Sequence, residues 1–231
     1  MKALEPINEI YKDLLIKLYH APIYAPRDKK VTELINHTVE LNSYDNVITL
    51  EGFETKLKYA ELEWEWYKSG SNRIDYAPLI KKIWSQFSDD GETVNSAYGY
   101  QMFRKLFDKF PYCQVDYVVE KLRLDKDSRQ AVININVPEH KENFHTKDFP
   151  CTLSIQFLIR ENELIMIVNM RSNDIFYGFR NDVYCFGELH KLILKDLQFY
   201  YKHLRIGQYY HNAASLHLYE PEWPKVRELL K

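Results

Sequence analysis

The 231-residue chain sets 31 lysines and arginines against 33 aspartates and glutamates, a net charge of −2 that argues against nucleic acid as its main partner. No apolar run is long enough to span a bilayer, and the 7 glycines form neither a Gly-x-Gly-x-x-Gly nor a Gly-Lys-Ser pattern, which argues against a membrane protein, a dinucleotide fold or a phosphate-loop ATPase. Cys113, Cys151 and Cys185 cannot all pair and form no Cys-x-x-Cys, and Glu5, Asn8 and Glu9 soon after Met1-Lys2 interrupt any apolar leader, so free thiols in a reducing cytoplasm are expected.

In chain order, residues 4 to 20 carry Leu4, Ile7, Ile10, Tyr11, Leu14, Leu15 and Leu18 on one helical face. After a loop containing Pro22, Pro26 and Arg27-Asp28-Lys29-Lys30, residues 32 to 42 and 46 to 52 alternate as two strands about an Asn42 to Asn46 turn. A helix is predicted from Lys56 to Ser69, broken by Gly70-Ser71-Asn72, and another from Tyr76 to Phe87. Helical spacing returns over 101 to 110 and 113 to 122, and Ala131, Ile133, Ile135 and Val137 alternate as a strand. Residues 182 to 203 form a long helix with Val183, Phe186, Leu189, Leu192, Ile193 and Leu197 at core spacing; Cys185 and His190 on it read as core or surface residues. A strand region then ends at Tyr219. No repeat, low-complexity stretch or linker divides the chain, so residues 1–231 are read as one α/β (α+β) domain.

The chemistry concentrates between residues 149 and 182. Phe149-Pro150-Cys151-Thr152 opens a strand placing Leu153, Ile155, Phe157 and Ile159 on one face, and the strand from Leu164 to Val168 runs out into Met170-Arg171-Ser172-Asn173-Asp174. Pairing these strands brings Arg171 to Cys151, and a guanidinium beside a thiol favours the thiolate. Gly178-Phe179-Arg180-Asn181-Asp182 follows. His140, His145, Asp148 and Cys151 have no spacing suited to a tetrahedral metal site, so no metal is expected.

The ordered Pro-Cys, Arg-Ser-x-Asp and Gly-Phe-x-x-Asp elements resemble the thymidylate synthase superfamily, and within it the phage deoxycytidylate hydroxymethylases. Two departures from ordinary thymidylate synthases point to the latter: Thr152 follows the cysteine where histidine is usual, and Asp182 stands where an asparagine reads uracil. The resemblance spans roughly residues 60 to 219. It implies a large twisted mixed sheet flanked by helices, with one sheet face at a homodimer interface. It also implies Cys151 as nucleophile, Glu63 (three before Trp66) as organiser of water and protons, Tyr98 of the Tyr-Gly turn in proton transfer, and Asp174 on the folate side.

By the same resemblance, Arg171 and Ser172 bind the 5′-phosphate, with Arg129 reaching across from the neighbouring subunit, and His217 and Tyr219 bind the sugar 3′-hydroxyl. Ile83, Trp84, Asp174 and Gly178 would line the site of 5,10-methylenetetrahydrofolate. Gln130 replaces a second arginine usual in the family. The first strand region, residues 31 to 72, contains no arginine, which leaves Arg27 or an adjacent lysine to take that phosphate contact. Taken without the resemblance, Ile83 and Trp84 read as core, Arg129 as a surface charge, His217 as a satisfied histidine and Tyr98 as structural.

Residue 182 carries the choice of base. Uracil offers a donor at N3 and an acceptor at O4, which a carboxamide matches; cytosine reverses both, and a carboxylic acid can donate to N3 and accept from N4. The competing reading is a helix cap at Asn181-Asp182. The expected activity is 5-hydroxymethylation of dCMP, in the cytoplasm of an infected host if the chain is a phage enzyme. The rivals are action on CMP or dUMP, C5-methylation of dCMP, and a nucleotide-binding regulator without catalysis. The twelve residues after Tyr219 make a short tail, consistent with admitting water to the reacting carbon.

Overall fold

The computed structural model describes residues 5–104 and 112–231. Helix α1 (Ile7–Tyr19) buries Ile7, Tyr11, Leu14, Leu15 and Leu18, the predicted stripe; Leu4 lies outside the described residues. Strands β1 (Ile23–Tyr24) and β2 (Val31–Leu41) pair antiparallel. The strand expected over 46 to 52 is instead coil and turn. There Thr55 Oγ1 accepts from the Ile48 N–H (3.0 Å) and the Thr55 N–H donates back to the Ile48 carbonyl (2.8 Å), so the polar groups of a ladder are used locally while Ile48 packs in the core.

Helix α2 (Leu57–Lys68) matches its prediction, whereas α3 (Pro78–Trp84) is shorter at both ends. Pro78 takes its first turn, where a missing N–H costs nothing, and Ile74–Tyr76 form a separate tight turn. Helix α4 (Tyr98–Phe103) starts three residues before the predicted 101, and residues 105 to 110 of that prediction lie outside the described residues. A Cβ on Gly99 would lie 2.1 Å from the Tyr67 Cα, so only glycine lets α4 close onto α2. Helix α5 (Gln114–Leu124), strand β3 (Val132–Asn134), the hairpin β4 (Thr152–Arg160) and β5 (Glu163–Met170), and the short β6 (Asn173–Asp174) follow. Helix α6 (Phe179–Leu197), strand β7 (Arg205–Tyr219) and helix α7 (Trp223–Leu229) complete the order.

The sheet runs β1-β2-β7-β5-β4-β3, with β6 added beside β7. Strands β5 and β7 are parallel, joined by the crossover through α6, and the other neighbours along the path are antiparallel, which makes a mixed sheet. One face is buried through Ile155, Phe157, Ile159, Leu164, Met166, Val168, Tyr209 and Ala213. Helix α6 packs its Val183, Phe186, Leu189, Ile193 and Leu197 into the same core, each fully buried side chain contributing ~1.5–3 kcal/mol. Leu192 is half-buried rather than core. Cys185 and His190 are core: His190 meets Ser43 Oγ and the Leu164 carbonyl, each at 2.8 Å.

Leu153 departs from its predicted face. The β4–β5 register slips between Thr152 and Ser154, so Leu153 is the extra residue of a bulge and points outward, 37% exposed, while Thr152 is fully buried opposite Met170. The bulge sits directly after Cys151. It bends the strand where β5 reaches its carboxyl end beside Ala213 of the parallel β7, which runs on to Tyr219, the side on which parallel strands leave room for a ligand.

Candidate active site

A cavity of about 1450 Å³ opens at that edge. Into it come Cys151 from the mouth of β4, Arg171 and Ser172 from the end of β5, Asp174 from β6, Gly178 and Asp182 from the start of α6, and His217 and Tyr219 from the end of β7. Glu63 enters from α2, Ile83 and Trp84 from α3, and Tyr98 from α4. Every site residue expected from the sequence therefore lines one cavity except Arg129, an exposed residue whose carbonyl accepts from Gln156 Nε2 at 2.8 Å.

Arg171 is fixed before any ligand arrives. Its Nε donates to the Pro150 carbonyl at 3.0 Å, Nη2 donates to the Phe149 carbonyl, and the same Nη2 lies 3.6 Å from Cys151 Sγ. The Arg171 N–H donates to the Cys151 carbonyl at 2.8 Å, so the hairpin itself sets thiol against guanidinium. The expected net activation does not follow. Burial raises the Cys151 thiol above its ordinary range, and Arg171 and then Arg27 only pull it part of the way back. Arg27 lines the cavity from a turn in which both Arg27 and Asp28 have left-handed backbone (φ 52° and 60°).

Glu63 is 4% exposed, and its two oxygens are separately held. Tyr59 Oη donates to Oε1 at 2.9 Å, itself receiving the Trp84 indole N–H at 2.9 Å, and Asn181 Nδ2 donates to Oε2 at 2.9 Å. Burial pushes Glu63 up to about 7, with both hydrogen bonds opposing. Tyr98 is 6% exposed; its hydroxyl accepts the Thr152 N–H at 3.4 Å, and its ring stacks on Phe186. Burial, reinforced by Cys151, raises it well above the usual phenol range. Asp174 Oδ1 accepts the N–H of Phe176 (2.8 Å) and of Tyr177 (3.3 Å), and burial raises its carboxyl nonetheless.

Asp182 is not a helix cap. Gly178 holds the cap position of α6, and Asp182 sits a full turn inside, 9% exposed, with Asn173 Nδ2 donating to its Oδ2 at 2.7 Å. Burial first, then the nearby Glu63, lifts Asp182 to about 8. His217 is buried, with Nδ1 facing Ser215, and its ring meets Tyr219 edge-on at 5.2 Å. Tyr59, Asn173 and Asn181 were missed from the sequence; the spacing of Tyr59 four before Glu63 is the one available signal for them.

The family model described as Thymidylate synthase matches residues 10–231, and the chain belongs to the thymidylate synthase family, a class of one-carbon transferases. Among curated relatives, the deoxycytidylate 5-hydroxymethyltransferase of Enterobacteria phage T4 is 32% identical over 168 residues, covering 70% of this chain and 67% of that protein. The deoxyuridylate hydroxymethyltransferase of Bacillus phage SP01 is 30% identical over 222 residues, 92% of this chain and 57% of that protein. The thymidylate synthase of Fusobacterium nucleatum is 24% identical over 234 residues, 96% of this chain and 82% of that protein. The solved thermostable thymidylate synthase A from Bacillus subtilis superposes with a TM-score of 0.76 at 18% identity, over 96% of this chain and 83% of that one, and shares the fold. Among the described residues no helix is long and apolar enough to cross a membrane.

Proposed function

We propose that the chain hydroxymethylates C5 of dCMP, working as a homodimer, and that Asp182 selects the base. The observation that carries this is the place of Asp182: it is buried in the cavity with Asn173 Nδ2 donating to its Oδ2 at 2.7 Å, where burial lifts the carboxyl to about 8 and favours a proton on it near neutral pH. An acid held on one oxygen in that way offers one donor and one acceptor in a set order, which can complement the cytosine edge. The T4 and SP01 relatives are both named as hydroxymethyltransferases, which supports hydroxymethyl over methyl as the product. The SP01 name also keeps dUMP as the second reading.

Addition of Cys151 Sγ to C6 of the pyrimidine would make C5 nucleophilic, since the ring electrons displaced by sulfur gather there. Arg171, Ser172 and Arg27 line the same cavity as that sulfur and would hold the 5′-phosphate through charge-assisted bonds, answering the missing first-strand arginine with Arg27. Ile83, Trp84, Leu79 and Phe87 form an apolar, aromatic wall suited to the flat pterin of methylenetetrahydrofolate. When bound there, that cofactor supplies the one-carbon unit. Glu63, near 7, can take a proton from water and return one to the ring, and Tyr98 stands beside the sulfur to move a proton at C5.

Arg129, outside its own chain's cavity, would serve the partner's phosphate. The open face of the sheet supports such a pairing: Leu158, Ile165, Ile167 and Tyr210 are half-buried there among polar residues.

The test is to incubate the protein with dCMP, CMP or dUMP and labelled methylenetetrahydrofolate and identify products by mass. Hydroxymethyl-dCMP as main product is expected. A methylated product with stoichiometric dihydrofolate, or preferred turnover of dUMP or CMP, overturns the reading. A covalent adduct of 5-fluoro-dCMP on Cys151 separates an enzyme from a silent binding protein.

A further inference from the structure

Asp182 faces the cavity with one carboxyl oxygen already committed. Asn173 Nδ2 bonds to its Oδ2 at 2.7 Å, Asn173 Oδ1 meets His211 Nε2 at 3.0 Å, and His211 Nδ1 meets the Tyr209 hydroxyl at 2.7 Å. Tyr209 and His211 are fully buried and Asn173 is 2% exposed. Tyr209 and His211 sit two apart on β7 and so share a face of the strand, and Asn173 opens β6 beside it. The chain runs away from the cavity and touches neither the nucleophile nor the arginines.

Its polarity is fixed by its far end. Among the described residues the Tyr209 hydroxyl has one hydrogen-bond partner, so its proton must go to His211 Nδ1 or be buried unpaired at a cost of ~1–3 kcal/mol. Burial holds His211 neutral, pushing it to about 3, and a neutral imidazole that accepts at Nδ1 must donate at Nε2. Nε2–H then requires the carbonyl end of Asn173 facing it, which turns the amide NH₂ onto Asp182. Donation runs one way, from Tyr209 to Oδ2.

We propose that Asn173, held by His211 and Tyr209, is a positioning residue that decides which carboxyl oxygen of Asp182 carries the proton and so determines the preference for cytosine over uracil. The proposal rests on the reading of Asp182 as the base selector. A carbonyl-type oxygen accepts a hydrogen bond better than a hydroxyl-type one, so the donor on Oδ2 keeps the proton on Oδ1. Cytosine and uracil ask for the same donor and acceptor in opposite order. A carboxyl free to carry its proton on either oxygen could satisfy both bases; a pinned one satisfies one. Gly178 protects the pin, because a Cβ there would lie 3.1 Å from Asn173 Nδ2 and 3.4 Å from Asp182 Oδ2.

The experiment compares kcat/KM for dCMP and dUMP from pH 6 to 9.5 in the wild type and in Asn173→Ala, Tyr209→Phe and Asp182→Ala. The titratable groups around Asp182 are Glu63 and Tyr67 on α2, Tyr98 on α4, Asp174 on β6, Cys185 on α6, Tyr209 on β7 and Cys151 at the mouth of β4, and all are kept in Asn173→Ala. In Asn173→Ala the dCMP:dUMP ratio should fall about tenfold or more, the scale of one buried hydrogen bond. The alkaline fall in dCMP activity should also move to higher pH, since a bond that favours the ionised carboxyl is gone. Tyr209→Phe keeps the ring and frees the tautomer, and should lower the ratio about threefold or more in the same direction. If Asp182→Ala abolishes the preference while both other variants hold the wild-type ratio, or lose both substrates equally, the proposal is wrong. If Asp182→Ala itself leaves the preference unchanged, base selection by Asp182 fails instead. Should Asn173→Ala not fold, the ratio in Tyr209→Phe decides.

Discussion

Replacing Asp182 with asparagine changes one atom type and no volume, so its consequences can be worked from the site. With Asn173 still donating towards the Oδ2 side, the amide oxygen takes that side and the NH₂ takes the Oδ1 side, so the carboxamide keeps the donor and acceptor order of the protonated acid. The reverse order would set NH₂ against NH₂, a buried mismatch costing ~1–3 kcal/mol, so the variant should still prefer dCMP at pH 7. Asparagine also does not titrate. With Asp182 at about 8, the carboxyl is ~90% protonated at pH 7 and ~10% at pH 9.

The quotient of wild-type over Asp182→Asn kcat/KM for dCMP should therefore fall about tenfold between pH 7 and 9. Taking the quotient removes the titration of Cys151 that both proteins share, and the further rise that an ionised Asp182 gives the wild-type thiol steepens the fall. Initial rates of product formation in a three-buffer series give the number. A quotient that stays flat from pH 7 to 9 would falsify the assignment of base choice to a protonated Asp182.

Three other outcomes follow from the same geometry. Glu63 is raised from 4.5 to about 7, so its burial leaves stability intact below pH 4.5 and removes it as pH climbs through 7. Urea midpoints of the wild type relative to Glu63→Gln should accordingly fall by about 3 kcal/mol equivalent between pH 4.5 and 8, while catalysis by the variant is slow. If Arg27 makes the proposed charge-assisted phosphate contact, Arg27→Ala should raise KM for the nucleotide about 10- to 100-fold with thermal stability unchanged, because the exposed side chain adds little packing. Gly99→Ala should cost more than ~3 kcal/mol by thermal unfolding, since its Cβ would sit 2.1 Å from backbone that cannot swing aside.

The sheet was legible in the sequence wherever alternation and burial coincided, as in Leu164 to Val168, and illegible where they parted. Ile48 and Leu50 alternate, but Thr55 has already taken the Ile48 N–H, so no ladder forms there. Leu153 belongs by period to the core face and is turned out by a bulge that no spacing announces. Cys151, Arg171, Glu63 and Asp182 could be picked out because their motifs are contiguous. Asn173, His211 and Tyr209 could not, because the Asn173–His211 bond joins residues 38 apart and buried polar pairs leave no periodic mark. The cap reading of Asp182 was favoured by composition and failed on where the helix begins, three residues before the predicted start.

The proton on Asp182 also bears on the nucleophile. An ionised Asp182 raises the Cys151 thiol, behind burial and against the pull of Arg171. Glu63 in turn raises Asp182, so ionising the deeper acid makes the outer one hold its proton harder. In the proposed reaction the acid that must be neutral to face cytosine is thus the one whose charge would most hinder thiolate formation among the carboxyls nearby. Selecting the base and easing the attack on C6 then require the same protonation state, and an ionised carboxylate in that position would oppose the sulfur it serves.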